Sequence, residues 1–187
     1  LTVILVLILG ILYLSIFGLK TEKFNNQIKK SISEVNSKIN FQINDVKYLL
    51  NLKDLSINIS TNNSKLSIDD RLIDIKNIKT NISIKSFINN QYSIDDLEIS
   101  TAEIKINDLL FFTREVHNSP QLFILSKIIK DGSIEVDVSI NFDSKGKIKN
   151  DYQINGSIKN ARLDLLNQST FNNLNFLFNL NKNQYSL

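Results

Sequence analysis

Few residues of this sequence could do acid–base or metal chemistry. His117 is the only histidine, cysteine is absent, and the carboxylate pairs Asp69–Asp70 and Asp95–Asp96 stand in segments that we predict as turns. Carboxylates in turns are usually solvated rather than catalytic, and a lone histidine without other ligands nearby is typical of a structural position. No phosphate-binding loop, dinucleotide fingerprint or nucleophile elbow occurs. We therefore expect no enzyme, no metal and no cofactor.

Charge is spread evenly along the chain. The net charge is +3, and lysines alternate with acidic residues almost everywhere. Nucleic-acid-binding proteins instead carry a basic patch, often with aromatic or arginine side chains among its lysines. We therefore expect no nucleic-acid partner.

Apolar residues are the regular feature of the sequence. In residues 132–143, GSIEVDVSINFD, apolar and polar positions alternate, which puts five large apolar side chains on one face of a β-strand. At about 1.5–3 kcal/mol each, their burial is worth roughly 7–15 kcal/mol, comparable to the stability of a domain. This face needs a cover: another layer of the protein, a partner or an apolar ligand.

The same alternation recurs from residue 39 to residue 187. Short breaks separate the alternating runs, for example TNNS at 61–64 and SKGK at 144–147. Connections this short predict an antiparallel meander. The apolar positions change phase between Ile75 and Ile78, which indicates a β-bulge or a strand with two apolar faces.

Two short helices are predicted to interrupt the strands at about 107–131. Ser119 is a suitable N-cap, Pro120 a suitable first helical residue and Gly132 a suitable stop. Two such helices cannot cover so many one-faced strands, so the sheet must fold over on itself or keep an open apolar trough. We predict that the trough is lined by Ile134, Val136, Val138, Ile140, Phe142, Tyr152, Ile154, Ile158, Phe176 and Phe178.

Residues 1–19, LTVILVLILGILYLSIFGL, contain no charge. As a helix they would span about 28 Å at 1.5 Å per residue, close to the roughly 30 Å of a bilayer core. We predict a transmembrane helix, with a cleaved signal peptide and a buried helix as alternatives. Lysines follow the stretch and favour a cytoplasmic position for the residues after it, so the orientation stays open. The chain begins without methionine and ends within an alternating pattern, and we expect it to be a C-terminally truncated piece.

Residues 20–38 predict an amphipathic helix. Apolar residues recur there at spacings of three and four. The helix could pack on the start of the sheet or lie on a membrane surface with its lysines toward the headgroups. The apolar positions are Phe24, Ile28, Ile32, Val35 and Ile39.

This order of elements resembles the AsmA-like envelope proteins of Gram-negative bacteria. The closest stretch is LSIDDRLIDIKNIKTNISIKSFINNQYSIDDLEISTAEIKI, residues 66–106. A later stretch, DGSIEVDVSINFDSKGKIKNDYQINGSIKNARLDLL at 131–166, is similar to the repeated segments of the larger members.

The resemblance implies an α+β fold, mostly antiparallel β. In this fold the transmembrane helix precedes a curved, taco-like sheet that forms a β-groove over residues 39–187. It implies anchoring in the inner membrane, a periplasmic groove, and phospholipid transport to the outer membrane or assembly of that membrane. The implied partners are phospholipid acyl chains, the inner membrane and other envelope proteins. The family is akin to the chorein-like bridge-type lipid transfer proteins.

Three other interpretations remain open. The apolar faces could form the closed core of a β-sandwich. The protein could be a scaffold or chaperone-like protein that assists outer-membrane protein assembly through its strand edges. It could also be a surface adhesin or pilin-like subunit that polymerises.

Overall fold

The computed structural model describes residues 2–22, 25–84, 94–117, 119–143, 147–149, 151–165, 169–181 and 184–186. The helices are α1 (Thr2–Ile16), α2 (Asn25–Val35), α3 (Ile106–Val116) and α4 (Pro120–Ile128). The strands are β1 (Leu19–Thr21), β2 (Asn40–Gln42), β3 (Val46–Asn51), β4 (Ser56–Ile68), β5 (Arg71–Ser83), β6 (Ile94–Thr101), β7 (Ile104–Lys105), β8 (Ile129–Asn141), β9 (Gln153–Asp164), β10 (Thr170–Asn181) and β11 (Gln184–Ser186).

The strands form one open antiparallel sheet. Its order is β1-β3-β4-β5-β6-β8-β9-β10-β11, with β2 paired to the far part of β4 and β7 paired to β8. Neighbours in the sheet are mostly neighbours in sequence, as in a meander. The predicted α+β class with a mostly antiparallel sheet is therefore confirmed.

A bulge in β5 explains the phase change of its apolar residues. A register shift between β5 and β6 leaves Lys76 as an extra residue. On the facing part of β4, Asn63 is left-handed with φ 53°. The hydroxyl oxygens of Thr61 and Ser64 lie 3.4 Å apart, although residues three positions apart on a regular strand point to opposite faces. The predicted bulge is confirmed, and it keeps the apolar residues before and after it in one cluster.

The N-terminal helix is shorter than the 19 residues predicted. After Ile16 the N–H of Phe17 still donates to the carbonyl of Tyr13 at 2.8 Å, but Gly18 adopts φ 70°, a left-handed conformation that commonly ends helices. Residues 19–21 then pair with β3, so the predicted boundary was wrong. No helix among the described residues is long and apolar enough to cross a membrane.

The second helix is also shorter than predicted. Residues 20 and 21 belong to β1, and α2 begins only at Asn25, whose side-chain amide donates to the carbonyl of Asn44 at 3.0 Å. Ile39 packs against the core. The other apolar positions predicted for this helix lie outside the described side chains: Phe24, Ile28, Ile32 and Val35.

The predicted helical insertion is confirmed as α3 and α4. The hydroxyl of Ser119 accepts from the N–H of Leu122 at 3.3 Å, and Pro120 occupies the first turn. The prediction for Gly132 was wrong, because β8 already begins at Ile129 and contains this glycine at φ 131°. A Cβ there would lie 2.9 Å from the Cα of Ala161, so close strand packing explains the glycine.

The packed core lies at one end of the sheet, which we call the capped end. There α3 contacts β5, β7 and β8. Arg71 holds α3 in place, since its guanidinium is 3.1 Å from the carboxylate of Asp108 and 4.4 Å from the ring centre of Phe111. The buried apolar side chains are Phe41, Ile43, Val46, Ile68, Ile73, Ile75, Ile104, Ile106, Leu110, Phe112, Ile134 and Ala161.

The opposite end of the sheet, which we call the α1 end, carries the apolar helix. Leu19 of β1 pairs with Tyr48 of β3, and the strands are antiparallel. The chain before Leu19 therefore runs toward Leu49 and the turn at 52–55. Helix α1 contacts β3, and none of its residues is buried.

A network of ion pairs connects the strands on the face opposite the packed core. Lys76 of β5 is 2.7 Å from Glu135 of β8, and Lys159 of β9 is 3.2 Å from Glu103. The hydroxyl of Ser133 also donates to Glu103 at 2.5 Å. This hydrogen bond and Lys159 lower the pKa of Glu103. Exposed pairs of this kind contribute little individually.

Gly18 gives the first prediction. Gly18→Ala should lower the free energy of unfolding by roughly 1–3 kcal/mol, the range for a forced backbone conformation, because the Cβ would lie 2.5 Å from the Tyr48 carbonyl and φ is left-handed. Denaturant unfolding in detergent measures this. The control is Gly10→Ala, whose Cβ meets no atom within 4 Å. Equal stability of the two variants would contradict the close contact between Gly18 and the Tyr48 carbonyl.

Glu103→Gln should lower stability slightly at neutral pH. The folded-state pKa is depressed, so the stabilisation is present above the unfolded-state value of about 4.3 and is lost as the pH falls through the folded-state pKa. Wild type and variant should therefore unfold alike at strongly acidic pH. Glu98→Gln, which disrupts a looser 3.9 Å pair with Lys79, should have a smaller effect. A difference for Glu103→Gln that persists in acid would contradict this assignment.

Candidate functional site

Strand register places the apolar residues of seven strands on one face. Directly paired residues of an antiparallel sheet share a face, so each chain of register partners is a row across the sheet. One row consists of Val46, Thr61, Ile78, Ile99, Val138, Ile154 and Leu180. Two rows toward the α1 end consist of Tyr48, Ile59, Thr80, Leu97 and Ile140, and of Leu50, Ile57, Ile82 and Ile94.

Rows of polar residues alternate with these and point to the opposite face. One consists of Asn62, Asn77, Ser100, Asp137, Asn155 and Asn179. The next consists of Ser60, Lys79, Glu98, Ser139, Gln153 and Asn181. The side-chain amide of Asn179 donates to Asn155 within its row. Polar side chains can remain exposed to solvent, so the apolar face is the one that needs a cover.

Only part of the apolar face belongs to the core. Toward the α1 end, nine apolar side chains are half-buried and lie outside the packed cluster. They extend over seven strands, and six spacings of about 4.8 Å give a width of roughly 29 Å. We call them the open apolar patch: Leu50, Ile57, Ile82, Ile94, Leu97, Val138, Ile140, Ile154 and Leu180.

Part of the predicted trough lining falls in the core. Ile134 is 7% exposed and pairs with Ile104, so α3 and its neighbours already cover it. Val136, Ile158 and Phe178 are half-buried and pack against the same cluster. These four residues stabilise the fold. Contrary to the prediction, they are not open to a ligand.

The remaining predicted residues, apart from Phe176, lie nearer the α1 end. Val138, Ile140 and Ile154 belong to the open apolar patch. Phe176 is half-buried and pairs with Ile158. Phe142 and Tyr152 are half-buried and stand just outside β8 and β9, where Phe142 forms a β-bridge with Ile148.

Six patch residues were not predicted as lining. Most of them stand in alternating segments, so their strands could be recognised, but the sequence does not say which face of one strand continues the face of the next. Only the register supplies that information. These residues are Leu50, Ile57, Ile82, Ile94, Leu97 and Leu180.

Beside the patch, Tyr48 contributes a phenol to the apolar face. Burial raises the pKa of this phenol, so it stays neutral at physiological pH. Among the nine patch residues there is no polar side chain, and Thr80 is the polar residue interleaved with them. A ligand on this surface would be held by apolar contact rather than by specific hydrogen bonds.

The polar candidates of the sequence do not meet in a site. His117 is exposed at the end of α3, and Asp69–Asp70 form the exposed turn predicted for them. Asp95–Asp96 lie in β6 instead of a turn, and a carboxylate oxygen of Asp96 accepts from the backbone N–H of Asn81 at 3.0 Å. Within the described ranges, no group of three or more histidine, aspartate or glutamate residues could hold a metal ion.

Gly156 tests the packing where core and patch meet. A Cβ at this position would clash with the Phe178 ring and lie 2.8 Å from the Glu135 carbonyl. Gly156→Ala should therefore lower the free energy of unfolding by about 1–3 kcal/mol, as overpacking does. Ser157→Ala, the next residue on the opposite face, is the control. If Gly156→Ala unfolds at the same denaturant concentration as wild type, Phe178 does not lie over this strand.

Comparison with known proteins adds no assignment. No protein-family model matches the sequence, and no curated protein or solved structure is significantly similar to it.

Proposed function

We propose that this protein binds phospholipid acyl chains on the open apolar patch while α1 anchors it in a membrane. By the resemblance described above, its role would be phospholipid transport to the outer membrane, or assembly of that membrane, from an inner-membrane anchor with the sheet in the periplasm. The observation that carries the proposal is an apolar surface across seven strands, half-buried, and outside the protein's own core.

The energetics favour a lipid over a polar ligand. Each buried methylene contributes roughly 0.8 kcal/mol, and a face built from isoleucine, leucine and valine offers that contribution all along an acyl chain. Because the patch contains no charged group, no single position fixes the lipid. A chain could slide along the strands without breaking a hydrogen bond, which suits transport better than tight capture.

The shape of the sheet is also part of the proposal. Open sheets beyond about ten strands usually curl, and bulges bend strands and increase their twist. Register shifts occur between β5 and β6, between β8 and β9 and between β9 and β10. We expect this coiling to make the apolar face concave, so that it surrounds a chain on more than one side.

Helix α1 supports the membrane anchor. It is free of charge, and its residues from Val3 to Leu14 are exposed. An apolar helix that the protein does not bury needs an apolar environment, and a bilayer supplies one. The anchor in this proposal is α1 alone, because residues 19–21 belong to β1. Its orientation remains part of this proposal.

A specific observation keeps the strand-edge scaffold as a second candidate. β11 pairs only with Asn179–Asn181 of β10, so among the described residues the outer edge of Thr170–Phe178 has no strand partner. An unpaired edge can accept a strand of another protein. Crosslinks from this edge to an envelope protein would favour the scaffold function.

Paired substitutions on the two faces of β9 test lipid binding. Ile154→Asp should reduce the phospholipid retained by the detergent-extracted protein several-fold, because it places a carboxylate on the apolar face. Gln153→Asp, the preceding residue on the polar face, should leave retention unchanged. Lipid is measured by mass spectrometry per mole of protein, and circular dichroism checks the fold. A folded Ile154→Asp variant that keeps its lipid would refute the proposal.

A second measurement applies if Ile154→Asp does not fold. Because the chain has no cysteine, a photoreactive group can be attached to single cysteines at Leu97 and Ile154 on the patch and at Glu98 and Gln153 opposite. Lipid adducts should form from the first two positions only. Equal adducts from both faces, or none from the patch, would contradict lipid binding there.

A further inference from the structure

The turn between β3 and β4 at the α1 end exposes two large apolar side chains. Leu52 is 43% exposed and Leu55 is 50% exposed. The turn is nonetheless well held, since the side-chain carbonyl of Asn51 accepts from the N–H groups of Lys53 and Asp54 at 3.0 and 3.2 Å. These leucines are therefore presented to the surroundings by an ordered turn.

Leu55 has an unusual backbone conformation. Its φ is 49°, and the other described non-glycine residues with positive φ are all asparagine or aspartate: Asn63, Asp69, Asn160 and Asn173. Left-handed backbone is unfavourable for a residue with a large side chain, whereas asparagine tolerates it. Stability alone would favour asparagine at position 55. A strained, exposed leucine thus indicates a role outside the fold.

A second connection at the same end has a similar composition. Ile148, between β8 and β9, is 61% exposed and stands between Lys147 and Lys149. Among the described residues these lysines and Lys53 form no ion pair, unlike Lys65, Lys76, Lys79 and Lys159 of the sheet. Four other strand lysines form none either: Lys20, Lys47, Lys105 and Lys130. Three unpaired cations beside exposed apolar side chains match an anionic lipid surface.

We propose that the β3–β4 turn and residues 147–149 lie in the headgroup region of the bilayer that holds α1. Leu52, Leu55 and Ile148 reach the acyl boundary, and the lysines contact anionic headgroups. The strands that carry the connections, β4 and β8, are three spacings apart, about 14 Å, so both contact the same surface. This inference rests on the proposed membrane anchoring by α1.

The contact would join the patch to the bilayer. Leu50 and Ile57 of the open apolar patch stand one residue before and one residue after the strand ends that border the β3–β4 turn, Asn51 and Ser56. With the turn in the headgroup region, an acyl chain leaving the bilayer would meet Leu55 and then these side chains. It would cross no polar face of the sheet on the way.

Single-cysteine variants carrying an environment-sensitive dye test the contact. The dye is placed on Leu52→Cys and Ile148→Cys, with Asp70→Cys in the β4–β5 turn of the capped end as the control. The full chain is reconstituted in mixed phosphatidylethanolamine and phosphatidylglycerol vesicles. We expect emission at 52 and 148 to shift to the blue and iodide quenching to fall several-fold relative to detergent, with no change at 70. Pure phosphatidylcholine vesicles should give a smaller effect.

The possible outcomes distinguish a failure of the proposed membrane contact from a failure of the proposed membrane anchor. If the protein does not float with vesicles, the anchor itself fails. If it floats but the dyes at 52 and 148 behave like the dye at 70, the anchor stands and this contact is refuted. Protection in detergent that rises with protein concentration would indicate contact with a second copy and would also refute it.

Leu55→Asn gives an independent test of the strained residue. It should raise the unfolding temperature by about 2–4 °C, the shift expected for relief of roughly 1 kcal/mol in a chain of this size, and reduce the dye protection at 52. Asp69→Asn, which keeps a tolerated residue in the same backbone conformation, should change neither. A lower unfolding temperature for Leu55→Asn would mean that the leucine stabilises the fold, and it would overturn the proposal.

Discussion

Strand register is the constraint on which the rest of this structure depends. Side chains alternate between faces with a period of two, so a slip of one residue would move a strand's whole apolar set to the other face. Here the row through Val138 is apolar over five successive strands, from Ile78 to Leu180. The row through Leu97 is apolar apart from Thr80 and the phenol of Tyr48, and the row between the two is polar. The bulge at Lys76 corrects the phase of β5 within this arrangement.

The two ends of the sheet differ because α3 packs on the apolar face at the capped end, whereas α1 has no buried residue at the other end. β6 ends where β7 and α3 begin, and α3 turns its apolar side chains onto the sheet, with Leu110 and Phe112 buried. Arg71, at the start of β5, fixes that helix by an ion pair and by stacking on Phe111. Toward the α1 end the same apolar face continues past the core, and its side chains remain half-buried.

Local signals in the sequence predicted local structure well. The alternation identified the long strands, Ser119 identified the start of α4, and Asp69–Asp70 identified a turn, because in each case nearby residues determine the conformation. Contacts between distant residues were not predictable. Helix α1 ends at Ile16 because residues 19–21 find a partner in β3, and Asp96 stands within a strand because Asn81 donates to it.

The candidate site shows the same contrast between local signals, which the sequence reveals, and long-range contacts, which it does not. The apolar character of β8, β9 and β10 was evident from alternation, but the position of α3 decides which residues remain open. Ile134 and Val138 are two alternations apart on one strand and look equivalent in sequence. One is in the core and the other in the patch, since α3 reaches only the capped end. A prediction of the lining therefore needs the tertiary position of a helix.

In the proposed function, the connection between α1 and the sheet would couple membrane anchoring to lipid binding. Only Phe17 and Gly18 separate the helix from β1, and β1 is hydrogen-bonded to β3. Leu50 of the patch lies on that same strand, so backbone pairing fixes its place relative to the end of α1. A long flexible linker would let the sheet tumble above a membrane. A two-residue joint with a left-handed glycine instead holds one end of the sheet beside the helix, which is the arrangement that a surface receiving chains from a bilayer requires.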